Sequence, residues 1–199
     1  MSLGFIIVLI VLFGYISNWL NWKYLNYRIT HYLYYIGAFV HESSHAVLCL
    51  ITGARIEEYK VFTSQPHVIH TKSKWPFIGN VLISSAPIFG GLLFIFLVNH
   101  FLLGNYFNLA DINDNWYRLI NIFHWQTWVM LLLLVNIGAM IGPSFQDIKN
   151  MWPALIVLLF VSFPALENIC FLALTLILVN IVLQLVAILT LKILSYNIK

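Results

Sequence analysis

The chain has 199 residues and a formal net charge of +3, with 61% hydrophobic residues, 9% charged residues and a mean hydropathy of +0.89. No water-soluble domain of that length hides so much apolar surface, so residues 1–199 read as one domain embedded in a lipid bilayer. The few positive charges are spread over loops with no basic block or DNA-reading motif, which excludes nucleic acid as the partner.

Residues 3–20 make the first apolar run. No basic stretch precedes it and no small-residue cleavage motif follows, so a retained spanning helix is expected here rather than a cleaved signal. Aromatic residues then crowd residues 19–35, with Trp19, Trp22, Tyr27 and Tyr32 among them, the composition of an interfacial belt.

The second run, residues 31–52, contains His41-Glu42-Ser43-Ser44-His45. Helix positions four apart lie on one face, so His41 and His45 can aim two imidazole nitrogens at one point. That is the start of a zinc site, with Glu42 about 100° round the helix and near enough to act as general base toward a water. With 7 His and few Glu in the chain, chance gives this pattern roughly once in 200 such chains. Ionisable groups inside an apolar span are costly and usually functional. Cys49, one turn on, reads as a small buried hydrophobe, and Cys170 likewise; no disulfide framework is indicated.

Residues 54–74 are polar with strand character: Arg55-Ile56-Glu57 and Tyr59-Lys60-Val61-Phe62, a Ser64-Gln65-Pro66 turn signal, then His67-Val68-Ile69-His70-Thr71. A small β-hairpin at the membrane interface is expected. His67 and His70 fall on opposite faces of such a strand, which favours interfacial histidines over a second metal site. In the third apolar run, residues 77–103, Ser84-Ser85-Ala86-Pro87-Ile88-Phe89-Gly90-Gly91 offers a small-residue face for close helix packing, with a lipid-facing kink at Pro87 as the alternative. Residues 104–124 have calcium-loop composition (Asp111, Asn113, Asp114) but lack the glycine and terminal glutamate of an EF-hand, and read as a solvated loop.

Further runs at residues 125–141, 145–163 and 165–194 bring the expectation to six crossings, or five if Gly142-Pro143-Ser144 breaks one segment instead of joining two. The expected fold is all-α, a polytopic transmembrane helical bundle with the hairpin on its cytoplasmic side. Arg55, Lys60, Lys72, Lys74, Lys149, Lys192 and Lys199 fall on one side and Lys23, Arg28 and Arg118 on the other. This bias places both termini in the cytoplasm of a multi-pass, cell-membrane protein.

A catalytic zinc wants a third protein ligand. On this topology Asp111, Asp114, Glu167, His100 and His124 lie toward the outer surface, away from the inward-leaning pentad. Asp147 lies on the inner side beside a backbone break, where a polar site is tolerated. Its rival role is that of an acid at a helix N-terminus, favoured by the dipole.

Taken together, the pentad, Ala86-Pro87-Ile88-Phe89-Gly90 and Pro143-Ser144-Phe145-Gln146-Asp147 resemble the site-2 protease (M50) family of intramembrane zinc metalloproteases, in particular its small M50B-like members. The family's usual Asn-x-x-Pro-x-x-x-Leu-Asp-Gly is absent, and Gly90 stands where many members have Asn. The resemblance implies Zn2+ held by His41, His45 and Asp147, water activation by Glu42, and a membrane-embedded protein or hydrophobic peptide as substrate. It also implies that the hairpin edge holds an unwound substrate as an added strand. The alternative is a non-catalytic membrane protein, a peptide binder or immunity partner retaining a metal site. A metal transporter is disfavoured because polar residues do not recur across several helices.

Overall fold

The computed structural model describes residues 3–24, 34–63, 66–75, 77–108, 117–118, 121–158 and 164–197. Within these residues the order is α1 (Leu3–Tyr24), α2 (Tyr35–Ile51), β1 (Ile56–Lys60), β2 (His67–His70), α3 (Ile78–Phe101), α4 (Trp125–Met140), α5 (Phe145–Leu158) and α6 (Pro164–Asn197). Each apolar run becomes a helix. The belt residues Tyr27 and Tyr32, the turn residues Ser64 and Gln65, and the loop acids Asp111 and Asp114 lie outside the described residues.

Six long helices form among the described residues, the number expected, but fewer than six of them are long and apolar enough to count as bilayer crossings. Among the described residues, three helical segments are long and apolar enough to span a bilayer: Gly4–Asn21, Ile78–Phe101 and Cys170–Ile193. Helices α4 and α5 meet at a 65° bend over a short break, and together they make at most a fourth span. α2 has 17 residues, about 25 Å of helix against a hydrocarbon core of about 30 Å. The bend has a covalent cause: Pro143 donates no backbone hydrogen bond and disfavours helical geometry at Gly142. Gly142 also lets this break lie against α1, since a Cβ there would sit 2.8 Å from the Gly14 Cα.

The chain leaves α2 through a Schellman motif. Gly53 takes a positive φ of 73°, and Ala54 N–H donates to the Cys49 carbonyl at 2.8 Å while Gly53 N–H donates to Leu50 at 3.2 Å. This reversal sends the chain into the expected hairpin. β1 and β2 are antiparallel, with Tyr59 opposite Val68, Lys60 opposite His67 and an irregularity between Ile56 and Glu58. Glu58, Lys60 and His67 share one face, and Lys60 with His67 holds the exposed Glu58 carboxyl below the ordinary carboxylate range.

α2 packs against α3 and α4, α3 also meets α5, and α6 lies along α1 and α4. Among the described residues one continuous core runs through α1 to α6, from Ile10 on α1 through Val40, Ile95, Ile137 and Met151 to Ile177. Leu12, Val47, Phe96, Trp128 and Leu189 point outward, as side chains facing lipid do. Pro87 is buried with Ser84, Ser85 and Ala86, so the small-residue face of α3 packs inward and the lipid-facing kink is not what forms.

Candidate metal centre

His41 and His45 project from the same face of α2, their ring centroids 4.9 Å apart. Each Nδ1 lies against a backbone carbonyl: His41 Nδ1–H donates to Met140 at 2.6 Å, and His45 Nδ1–H donates to Ile83 at 2.8 Å. A carbonyl only accepts, so both neutral rings carry their proton on Nδ1 and turn an Nε2 lone pair inward. The two Nε2 atoms are 3.3 Å apart. With no cation or proton between them, two lone pairs at that distance repel.

Asp147 completes the group from α5. Its Oδ2 lies 3.6 Å from His45 Nε2. One donor atom from each of His41, His45 and Asp147 falls within a single 4.8 Å set, the one such trio among the described residues. Ligand atoms on a tetrahedral ion with bonds of about 2.0–2.1 Å are themselves about 3.3 Å apart. The residues therefore fit a zinc-sized divalent cation in both chemistry and spacing, with nitrogen and carboxylate donors and no thiolate.

Asp147 also serves its helix. Ser144 precedes α5, and Asp147 is its third residue. Asp147 Oδ2 accepts from Ser144 N–H at 2.8 Å and from Ser144 Oγ–H at 2.6 Å, while Asp147 N–H donates to Ser144 Oγ at 3.2 Å. This is a capping box with Asp in place of the usual Glu. The two roles weighed for this carboxylate are compatible in one conformation.

Glu42 is half-buried on the neighbouring face of α2. Its carboxyl lies within electrostatic reach of Asp147 and His67 and close to the Val68 backbone of β2. The hairpin is fastened to the pentad helix by a 2.7 Å hydrogen bond between the Ser43 and Tyr59 hydroxyls.

Other candidates lie elsewhere. Cys49 is fully buried with Ala54 and Ile83 in an apolar cluster. His67 pairs with Glu58 at 3.3 Å, His70 Nδ1–H donates to the Thr71 carbonyl, and His100 is bonded to Asn105 at the far end of α3. Sequence reasoning missed a buried polar ladder between α1 and α6. Asn180 and Gln184 both donate to Ser17 Oγ, at 2.9 and 3.0 Å, and Gln184 donates to Asn21 Oδ1 at 3.0 Å. Its signal was available as two polar pairs spaced four apart in apolar runs, 17/21 and 180/184. With Asn136 buried on α4 as well, polar residues do recur across several helices, contrary to the expectation.

Apolar spans around a largely buried cluster of two histidines and a carboxylate define an integral membrane protein with a site able to hold a metal. The family model described as Peptidase M50B-like matches residues 5–108, more than half of the chain, and the chain belongs to that family, within the site-2 protease (M50) group. The matched stretch includes the pentad and α3 and ends before Asp147. No curated protein and no solved structure matches the chain.

Proposed function

We propose that this protein is an intramembrane zinc endopeptidase that cuts a transmembrane segment or hydrophobic peptide. The observation that carries the reading is the convergence of His41 Nε2, His45 Nε2 and Asp147 Oδ2 beside Glu42 inside an apolar bundle. His41, His45 and Asp147 would hold the ion. When bound, zinc polarises a scissile carbonyl and brings the pKa of a water ligand toward about 7. The carbonyls of Met140 and Ile83 keep both imidazoles in the ligating tautomer. Glu42 takes the proton from the attacking water at its carboxylate. As the C–N bond breaks, it passes that proton to the departing amine nitrogen, leaving a new carboxyl on the other fragment.

The substrate must present an extended backbone, because a helix keeps its peptide groups in its own hydrogen bonds. β2 lies beside Glu42 and supplies an edge along which such a segment can pair. The test is cleavage of a transmembrane peptide in proteoliposomes. Glu42→Gln is expected to keep zinc and fold yet lose cleavage by at least about 100-fold. Cleavage near the wild-type rate in that variant would remove Glu42 as the base.

A further inference from the structure

Resting on the metal-centre reading above, we infer that Pro87 is a positioning residue for the metal site, because it leaves free the backbone carbonyl that fixes the tautomer of His45. Pro87 lies inside α3 and is buried. In a regular helix the carbonyl of Ile83 accepts from the N–H of residue 87. Proline has no N–H, and its ring crowds the carbonyl four residues back, tilting it off the helix axis. That carbonyl is the one to which His45 Nδ1–H donates at 2.8 Å.

The same logic recurs at the other histidine. His41 Nδ1–H donates to Met140, the last residue of α4. In a continued helix the Met140 carbonyl accepts from Ser144 N–H. Here Pro143 interrupts the helix and Ser144 N–H turns to Asp147 Oδ2 instead. Both imidazoles are thus aimed by carbonyls that a proline-bearing interruption strips of their helical donors. A buried carbonyl without a donor is costly, so each histidine satisfies a carbonyl and is oriented by it. The α3 proline has a chemical role separate from bending the helix.

Pro87→Ala supplies the missing N–H, which competes with His45 for the Ile83 carbonyl. Alanine favours helix, so the substitution does not endanger folding. Replacing residue 87 with lactate, the α-hydroxy analogue of alanine, removes the ring while again omitting the N–H. Two readouts apply to the full-length protein: zinc affinity by chelator competition, and 15N ring shifts of His45 in the metal-free state. Pro87→Ala is expected to weaken zinc binding by about 10–100-fold and move the ring proton from Nδ1 toward Nε2, with the lactate variant returning to wild type in both. Unchanged affinity and tautomer in Pro87→Ala would overturn the inference. Equal impairment of the alanine and lactate variants would overturn it too, since the ring and not the freed carbonyl would then matter. His45→Ala is the control on the underlying reading: full zinc retention there contradicts the metal centre itself.

Discussion

One carboxylate in this protein answers two demands. Asp147 closes the capping box that starts α5 and presents the same oxygen to His45. The demands separate by substitution. Asp147→Asn keeps an amide oxygen that still accepts from Ser144, so this variant is expected to fold normally. Its zinc affinity should nevertheless fall by more than about 100-fold, beyond the usual cost of disturbing an outer-shell partner. Asp147→Ala loses the cap as well, about 1 kcal/mol of stability in a thermal or denaturant titration. An asparagine variant with wild-type zinc affinity would leave Asp147 as a cap only. His41→Ala and His45→Ala are each expected to abolish stoichiometric zinc, read by elemental analysis. At this scale the pentad was legible because spacing on a helix alone decides what His41 and His45 share. The partners of their Nδ1 atoms, Met140 and Ile83, were not. They are backbone carbonyls on other helices, and no residue type announces them.

At the scale of elements, hydropathy located each of α1–α6 to within a few residues, because the bilayer demands long apolar runs whatever their packing. The path of the chain through the bilayer was less legible. Gly142-Pro143 announces a break, but composition cannot distinguish a turn between two spans from a bend within one. Packing decides that: α5 is drawn against α3 and α1, with Gly14 and Gly142 in backbone contact. The contact of α2 with α4 is equally tight, since a Cβ on Gly37 would run into the Asn136 carbonyl. Gly37→Val is accordingly expected to cost about 1–3 kcal/mol and to loosen zinc binding as well, because α2 carries both histidines and α4 ends at the Met140 carbonyl. Stability loss with zinc affinity untouched would show that α2 and α4 do not act as one support.

At the scale of the whole molecule, two polar systems stand out among the described residues of one apolar bundle. The candidate metal site joins α2, α3, α4 and α5, while the Ser17, Asn21, Asn180 and Gln184 ladder ties α1 to α6. Interhelical hydrogen bonds in membranes average about 0.6 kcal/mol each. Gln184→Leu removes two of them and is expected to cost about 1 kcal/mol of stability while leaving zinc stoichiometry and cleavage intact. Loss of zinc in that variant would make the ladder part of the site instead of a clamp. The family relationship covers the pentad but stops short of Asp147, so the proposed ligand set rests on the geometry of this chain. Zinc K-edge absorption of the purified wild-type protein tests it most directly. The expected spectrum shows one zinc per chain, with two imidazole nitrogens at about 2.0–2.1 Å and carboxylate or water oxygens at about 2.0–2.2 Å. A sulfur shell at about 2.3 Å, or wild-type protein that binds no zinc, would contradict the account.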